Sequence, residues 1–309
     1  MEILKESKTL GKLLIKEVEK PLAKEMIVKN HYSHKWNGAF GVVNIGIFKQ
    51  EEPDNCLGVA VFGNLMNPKS YKSLSDDLKS QTEILELNRL WIDDCLGANT
   101  ETILLGACWK ILKKEYPHVK MVQSFADGRL GCGTIYKASN FQYFGYSETM
   151  FYKDKYDGII YHKVLLENTK SPITFVALNR KLINGDFTVF KTKTYRYIYP
   201  LKKGLTFKIK QKPYPEYDKG IDVFEDSDFK KIMNKRNVAR CAILAYVYEL
   251  EGFEELYDYS IKHDLLEYMI DAIDKNKTFK FQRERKPELA PRFDEIKKII
   301  QDELNSRTM

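Results

Sequence analysis

Between residues 41 and 153, strand-like runs and helix-periodic runs take turns, an order that few architectures accommodate. GVVNIGIF (41–48) and CLGVAVFGNL (56–65) flank the turn-rich KQEEPDN, the pattern of a hairpin with a long loop. EILELNRLWID (83–93) alternates apolar and polar residues over much of its length, as a half-buried strand does. LGANT (96–100) then leads into a helix whose Ile103, Leu104, Ala107, Cys108, Ile111 and Leu112 fall at helical spacing. Lysines gather late in that helix, Pro117 follows it, and Thr100 is placed to cap its start. VKMVQSF (119–125) reads as strand, TIYKASN (134–140) as helix and FQYFGYSETMFYK (141–153) as strand. A short helix, PLAKEMIVKN (21–30), precedes them all, with Pro21 in its first turn. Strands alternating with helices imply an α/β sheet with helices on its faces.

The remainder of the chain has a different texture. Residues 160–220 hold short β-like pieces, YHKVLLE, TFVALNR, TYRYIYPL and LTFKIKQ, broken by Gly and Pro. Residues 222–309 are richer in charge and helix formers. The expected organisation is a catalytic domain over 1–220 and a helical C-terminal module over 221–309. A hydrophobic fraction of 43%, with 13% aromatic residues, supports a sizeable core and argues against wholesale disorder. The first twenty residues alternate charge with apolar side chains, unlike a signal peptide, and no stretch reaches spanning length without charge. A soluble cytoplasmic protein without a membrane partner is expected. Five cysteines without a Cys-x-x-Cys pair fit neither a disulfide framework nor a zinc knuckle, so reduced thiols are expected.

Functional signals concentrate between 83 and 146. A strand, a turn and a helix N-terminus in succession offer unpaired first-turn N–H groups to an anion. Gly97, Ala98, Asn99 and Thr100 occupy that turn, either as a cradle for the pyrophosphate of CoA or as an ordinary strand–helix turn. Further on, the run from Gly133 through Tyr136 to Phe141 resembles a segment of GNAT N-acyltransferases, in which a helix carries a tyrosine and an aromatic residue opens the next strand. In that family the tyrosine lies near the CoA sulfur, where a departing thiolate needs an acid. The plainer reading of Tyr136 is a core aromatic with its hydroxyl satisfied. The spaced glycines usual in the GNAT anion loop are reduced here to Gly97.

A closer resemblance spans residues 25–205 in blocks: HYSH (31–34), ELNRLWI (86–92), the helix ending in KEYP, SFADGRLGCGTIYKASNF (124–141) and YRYIYPLKKG (195–204). Together they are similar to the Mom family of phage DNA-modification proteins, which belongs to the GNAT-like superfamily. The resemblance implies a GNAT-like mixed central sheet flanked by helices, acetyl-CoA or another acyl-CoA as donor, and double-stranded DNA as partner. It implies transfer of a carbamoylmethyl-type group onto adenine N6 as an anti-restriction modification. It leaves an iron requirement open and does not reach the C-terminal helices.

Asp127 stands just past a strand's C-terminal end, where sites in α/β sheets gather. By resemblance it is an acid that orients the adenine amine or assists a proton transfer; otherwise it is a turn aspartate in Ala-Asp-Gly. Ser124 is placed to hydrogen-bond the acyl carbonyl or the substrate. His31 and Tyr32 close over the acceptor site and offer stacking to a flipped base, with His34 beside them. Two histidines are too few to specify a metal. Arg89 is assigned to phosphate, unless it pairs with Glu86 at the sheet edge. KTKTYRYIYPLKKGLTFKIKQK interleaves cations with Tyr195, Tyr197 and Tyr199. Lys202 and Lys203 would hold DNA phosphates while the tyrosines stack on bases, or the run is a strand with solvated lysines. The net charge of +7 favours an anionic partner without deciding the question. The rivals are a generic GNAT N-acyltransferase acting on a protein or small-molecule amine, and a non-enzymatic DNA-binding protein on the same scaffold.

Overall fold

The computed structural model describes residues 1–7, 11–167, 171–217, 221–223 and 234–308. It divides into two compact units, Met1–Glu148 with Lys193–Gly220, and Thr149–Thr192 with Ile221–Met309. The strands are β1 (Glu2–Ser7), β2 (Gly11–Glu17), β3 (Val43–Lys49), β4 (Cys56–Gly63), β5 (Ile84–Ile92), β6 (Met121–Asp127), β7 (Gln142–Asp154), β8 (Ile160–His162), β9 (Phe187–Pro200) and β10 (Ile221–Val223). The fold is α/β, a mixed sheet with flanking helices and a helical C-terminal part, as expected.

In the first unit, β1 to β5 pair antiparallel in chain order. The charged–apolar alternation of the N-terminus is thus a strand pattern, with Leu13 and Ile15 fully buried on β2. β6 joins β5 in parallel, which requires a crossover, and α2 (Thr100–Glu115) supplies it. β9 returns antiparallel to β6. Helix α1 (Lys20–Asn30) starts with proline in its first turn, as read from the sequence. The helix α3 (Thr134–Ala138) is a single short turn.

Helix α2 buries Leu104, Leu105, Cys108, Trp109, Ile111 and Leu112 against Phe62, Phe141, Tyr195 and Tyr197. Each of its leucines contributes about 1.5–3 kcal/mol by leaving water. The period of two along β9 puts Tyr195, Tyr197 and Tyr199 on this covered face, and Trp109 stacks on Tyr199 at 4.2 Å. These tyrosines are therefore core aromatics and not a stacking platform for bases. The opposite face, with Ile84, Met121, Phe144 and Ile198, is covered by Leu205, Phe207 and Ile209. LTFKIKQ is thus a strap and not a strand. It is tied at intervals, Lys208 N–H donating to Leu74 O at 2.9 Å and Lys212 N–H to Tyr143 O at 2.8 Å.

The second unit contains α4 (Lys163–Glu167), α5 (Pro172–Ile183), α6 (Lys235–Val247), α7 (Phe253–Lys262), α8 (Leu266–Lys275), α9 (Lys277–Arg285) and α10 (Ala290–Thr308). Two segments expected to be β-like are mostly helical: YHKVLLE runs from the end of β8 into α4, and TFVALNR lies within α5. Ser171 caps α5, Pro172 opens it, and Phe175, Val176, Leu178 and Leu182 make one helical face. Phe175 and Val176 join the cluster of Val238, Ile243, Leu244, Met269 and Phe293, which is why 149–192 groups with the C-terminal helices. Among the described residues no helix is long and apolar enough to cross a membrane.

Candidate active site

The parallel ladder between β5 and β6 runs only from Ile84↔Met121 to Glu86↔Gln123. Beyond it each strand keeps its outer partner alone. Leu87–Ile92 pairs with β4, past an irregularity at Val61/Phe62, and Ser124–Asp127 pairs with β9. A cavity of about 460 Å³ opens where the ladder ends, lined by Leu87–Ile92 from β5 and Phe125–Asp127 from β6. That volume suits a small ligand. The inner strand edges face it with backbone groups free of sheet partners.

His31, Tyr32, Arg89, Asp127 and Tyr136 all line this cavity. His31 follows α1 directly and is buried. Its Nδ1 accepts from Ser33 N–H at 3.1 Å, so the neutral ring carries its proton on Nε2. Burial, then Arg89 and His34, lower its pKa to about 4, so the ring is neutral at physiological pH. Tyr32 lies with its ring 4.2 Å from that of His31 and is 56% exposed. Ser124 Oγ lies 2.9 Å from both Leu87 O and Tyr136 Oη. Burial pushes the Tyr136 phenol up to about 12. Its ring stacks on Tyr197 at 4.9 Å and meets Phe141 edge-on at 5.1 Å.

Asp127 is gripped by Arg129, whose Nε donates at 3.0 Å to both carboxylate oxygens and whose backbone N–H adds a further bond at 3.0 Å. Arg89 does not make the alternative pair with Glu86. Its Nη1 donates to Asn88 O at 2.6 Å and its guanidinium lies 4.7 Å over Phe40. Glu86 accepts instead from Asn88 Nδ2 at 3.0 Å and Gln123 Nε2 at 3.1 Å, and burial raises its pKa. Arg129 and Ser33 escaped the sequence reading. Both lie inside the resembling blocks, HYSH and SFADGRLGCGTIYKASNF, where no role singled them out.

Other expected residues stand apart from the cavity. Gly97, Ala98, Asn99 and Thr100 do not line it; Glu101 does. The helix cap is Asn99, left-handed at φ 67, and the Thr100 hydroxyl turns back to Leu96 O at 2.6 Å. His34 is exposed and bonded to Val28 O at 3.0 Å. Lys202 and Lys203 follow the end of β9 that pairs with Met121, the opposite end of β6 from Asp127. Six strand steps put them about 20 Å away. Among the described residues no three His, Cys, Asp or Glu side chains gather as a metal site, so the iron requirement that the resemblance leaves open finds no ligand set.

The sequence profile of the Mom protein family matches residues 12–216. The chain belongs to the Mom family. The methylcarbamoylase mom of Escherichia phage Mu is 32% identical over 205 residues, covering 63% of this chain and 80% of that protein. Two solved structures show weaker likenesses. Arabidopsis thaliana NAA60 with acetyl-CoA is 10% identical, covering 61% of this chain and 99% of its own, at a TM-score of 0.37. The ribosomal L7/L12 acetyltransferase RimL with coenzyme A is 12% identical, covering 64% and 98%, at 0.33. At such scores they carry no argument about the site. The Mom match includes every cavity-lining residue except Tyr217, which follows its last residue.

Proposed function

We propose that this Mom-family protein is an N-acyltransferase acting on DNA. It moves an acyl group from a CoA-type donor onto N6 of adenine in double-stranded DNA, and the product protects phage DNA from restriction in the host cytoplasm. The observation that carries this reading is the opening between β5 and β6, where His31, Arg89, Asp127 and Tyr136 share one cavity in a Mom-family chain. The relative in phage Mu is named a methylcarbamoylase, and a methylcarbamoyl group attaches through its carbonyl carbon. A carbamoylmethyl group would attach through a methylene, which an acyl donor does not deliver. The proposed reaction follows that name and is acyl transfer.

The residues fit a CoA-type donor. The unpaired inner edges of β5 and β6 offer N–H and C=O groups to the amides of a pantetheine chain. The pyrophosphate is assigned to the Gly97–Thr100 turn, where Gly97 leaves open space and no side chain caps α2. A bound acyl thioester supplies a carbonyl carbon with a thiolate leaving group. Arg89 and the Nε2–H of His31 are the donors for the carbonyl oxygen as its charge develops. The adenine amine is a poor nucleophile, so orientation matters most. Asp127, fixed by Arg129, accepts an amine N–H and takes its proton as the N6–C bond forms and the C–S bond breaks. Tyr136, whose Oη lies 2.9 Å from Ser124 Oγ, hydrogen-bonds the departing sulfur. Tyr32 gives a flipped adenine a stacking face.

A second reading, acyl transfer to a protein or small-molecule amine, draws on the placement of Lys202 and Lys203 far from the cavity. Nucleoside mass spectrometry of plasmid DNA from cells expressing the protein, beside Arg89→Ala, separates the two. A heavier deoxyadenosine only with the intact protein supports DNA modification. Unmodified nucleosides from cells holding folded protein refute it and leave the second reading.

A further inference from the structure

Helix α9 and its flanking residues are dense in cations. Residues 275–286 hold six Lys or Arg against one acid, in a chain of net charge +7. A second basic run, residues 191–212, holds eight Lys or Arg and no acid, whereas α7 (FEELYDYSIK) holds three acids and one lysine. Phe279 and Gln282 face the interior of the unit, while Lys277, Lys280, Phe281, Glu284 and Arg285 form one exposed stripe at helical spacing. Phe281 is 50% exposed under the Arg285 guanidinium at 4.5 Å.

Local helix physics accounts for only part of this. Arg283 and Arg285 sit in the last turn, where a macrodipole favours cations, and Arg283 is also bonded to Ile273 O. Lys277 and Lys280 lie at the other end, where the dipole disfavours them and where no acidic residue stands. Asn276 already caps that end, accepting from Thr278 N–H at 2.9 Å. No ion pair among the described residues neutralises Lys277, Lys280, Arg285 or Lys286. Cations that work against their own helix and lack acidic partners point to an external polyanion.

We propose that this face of α9 docks on the phosphate backbone of duplex DNA, outside the span that matches the Mom family. The nine-residue helix is about 13 Å long, enough to follow several phosphates of one strand. The stripe holds cations without a pattern of base-reading amides, so the contact is positional and blind to sequence. The inference rests on the proposed function only for the choice of duplex DNA among polyanions.

The test is fluorescence anisotropy of a labelled random-sequence duplex with the full chain over a salt titration. Changing Lys277, Lys280, Arg285 and Lys286 together to Gln is expected to weaken binding roughly tenfold or more. The slope of log K against log salt should flatten by about 0.9 per lost phosphate contact, so by about 3–4 if all four engage. Glu284→Lys, a change that misfolding cannot mimic, is expected to tighten binding and steepen the slope. Unchanged affinity and slope in both variants overturns the proposal. So does α9-dependent binding to phosphatidylserine vesicles with no α9 effect on duplex. The proposed reaction fails separately. Duplex binding that depends on α9, in a protein that leaves nucleosides unmodified, retains this inference and removes the reaction.

Discussion

Tyr136→Phe removes one oxygen from the cavity and leaves its packing in place. The ring still stacks on Tyr197 and meets Phe141, and Ser124 still donates to Leu87 O. The stability cost is that of one hydrogen bond, about 1 kcal/mol. The catalytic cost follows from the phenol's acidity. Burial holds it near 12, whereas an ordinary thiol ionises near about 8.5. Full proton transfer from Tyr136 to a departing thiolate is then uphill by roughly 3–4 pK units, about 5 kcal/mol. Tyr136 therefore steadies the sulfur by a hydrogen bond and does not deliver its proton. Its contribution belongs at the low end for a general acid, about a hundredfold and not ten-thousandfold. Single-turnover formation of modified deoxyadenosine on duplex DNA reads that number directly. The wild-type pH–rate profile should also show no tyrosine limb between about pH 6 and 10. A loss below about threefold refutes a role at the sulfur, and a loss near about ten-thousandfold refutes the uphill argument.

Other perturbations probe the positions around this pair. The His31 pKa, lowered to about 4 by burial and by Arg89, means that the unfolded chain binds more protons between about pH 4 and 6.5. Stability contributed by the neutral ring is full above that window and is lost as pH falls through it, by up to about 3 kcal/mol. His31→Gln should flatten melting temperature against pH there, and an unchanged acid slope contradicts the assignment. Gly133 sits at φ 88, and a Cβ would approach Ala126 Cβ and Tyr136 Cδ2 at 2.8 Å and Tyr197 Cε2 at 2.9 Å. Gly133→Ala should destabilise by about 2–4 kcal/mol in denaturant titrations, and a loss under about 0.5 kcal/mol contradicts that packing. Lys202→Glu with Lys203→Glu should leave the single-turnover rate within about twofold, since they stand at the far end of β6; a larger fall places DNA across that end.

What the sequence disclosed and what it withheld divide along one line. The alternation of β3, β4, β5, α2, β6, α3 and β7 is written in local periodicity and turn residues, and it was legible. So were His31, Tyr32, Arg89, Asp127 and Tyr136 as candidates, because they cluster in short polar or aromatic segments. Their meeting in one cavity depends on pairings between distant strands. Tyr195, Tyr197 and Tyr199 make a period-two stripe that reads the same whether it faces a helix or a base, and only α2 decides. Lys202 and Lys203 show their charge in the sequence but not the end of the sheet they occupy. The opening between β5 and β6 is the least legible feature, since it is an absence of pairing between two good strands. One atom helps to explain it. Leu87 O, the next carbonyl on the inner edge of β5, is taken by Ser124 Oγ at 2.9 Å where a ladder N–H would otherwise bond. Ser124 therefore satisfies the carbonyl that the end of the ladder would strand, and presents its oxygen to Tyr136. An alanine there would leave a buried acceptor unpaired, at about 1–3 kcal/mol, so the serine beside the opening stabilises its floor.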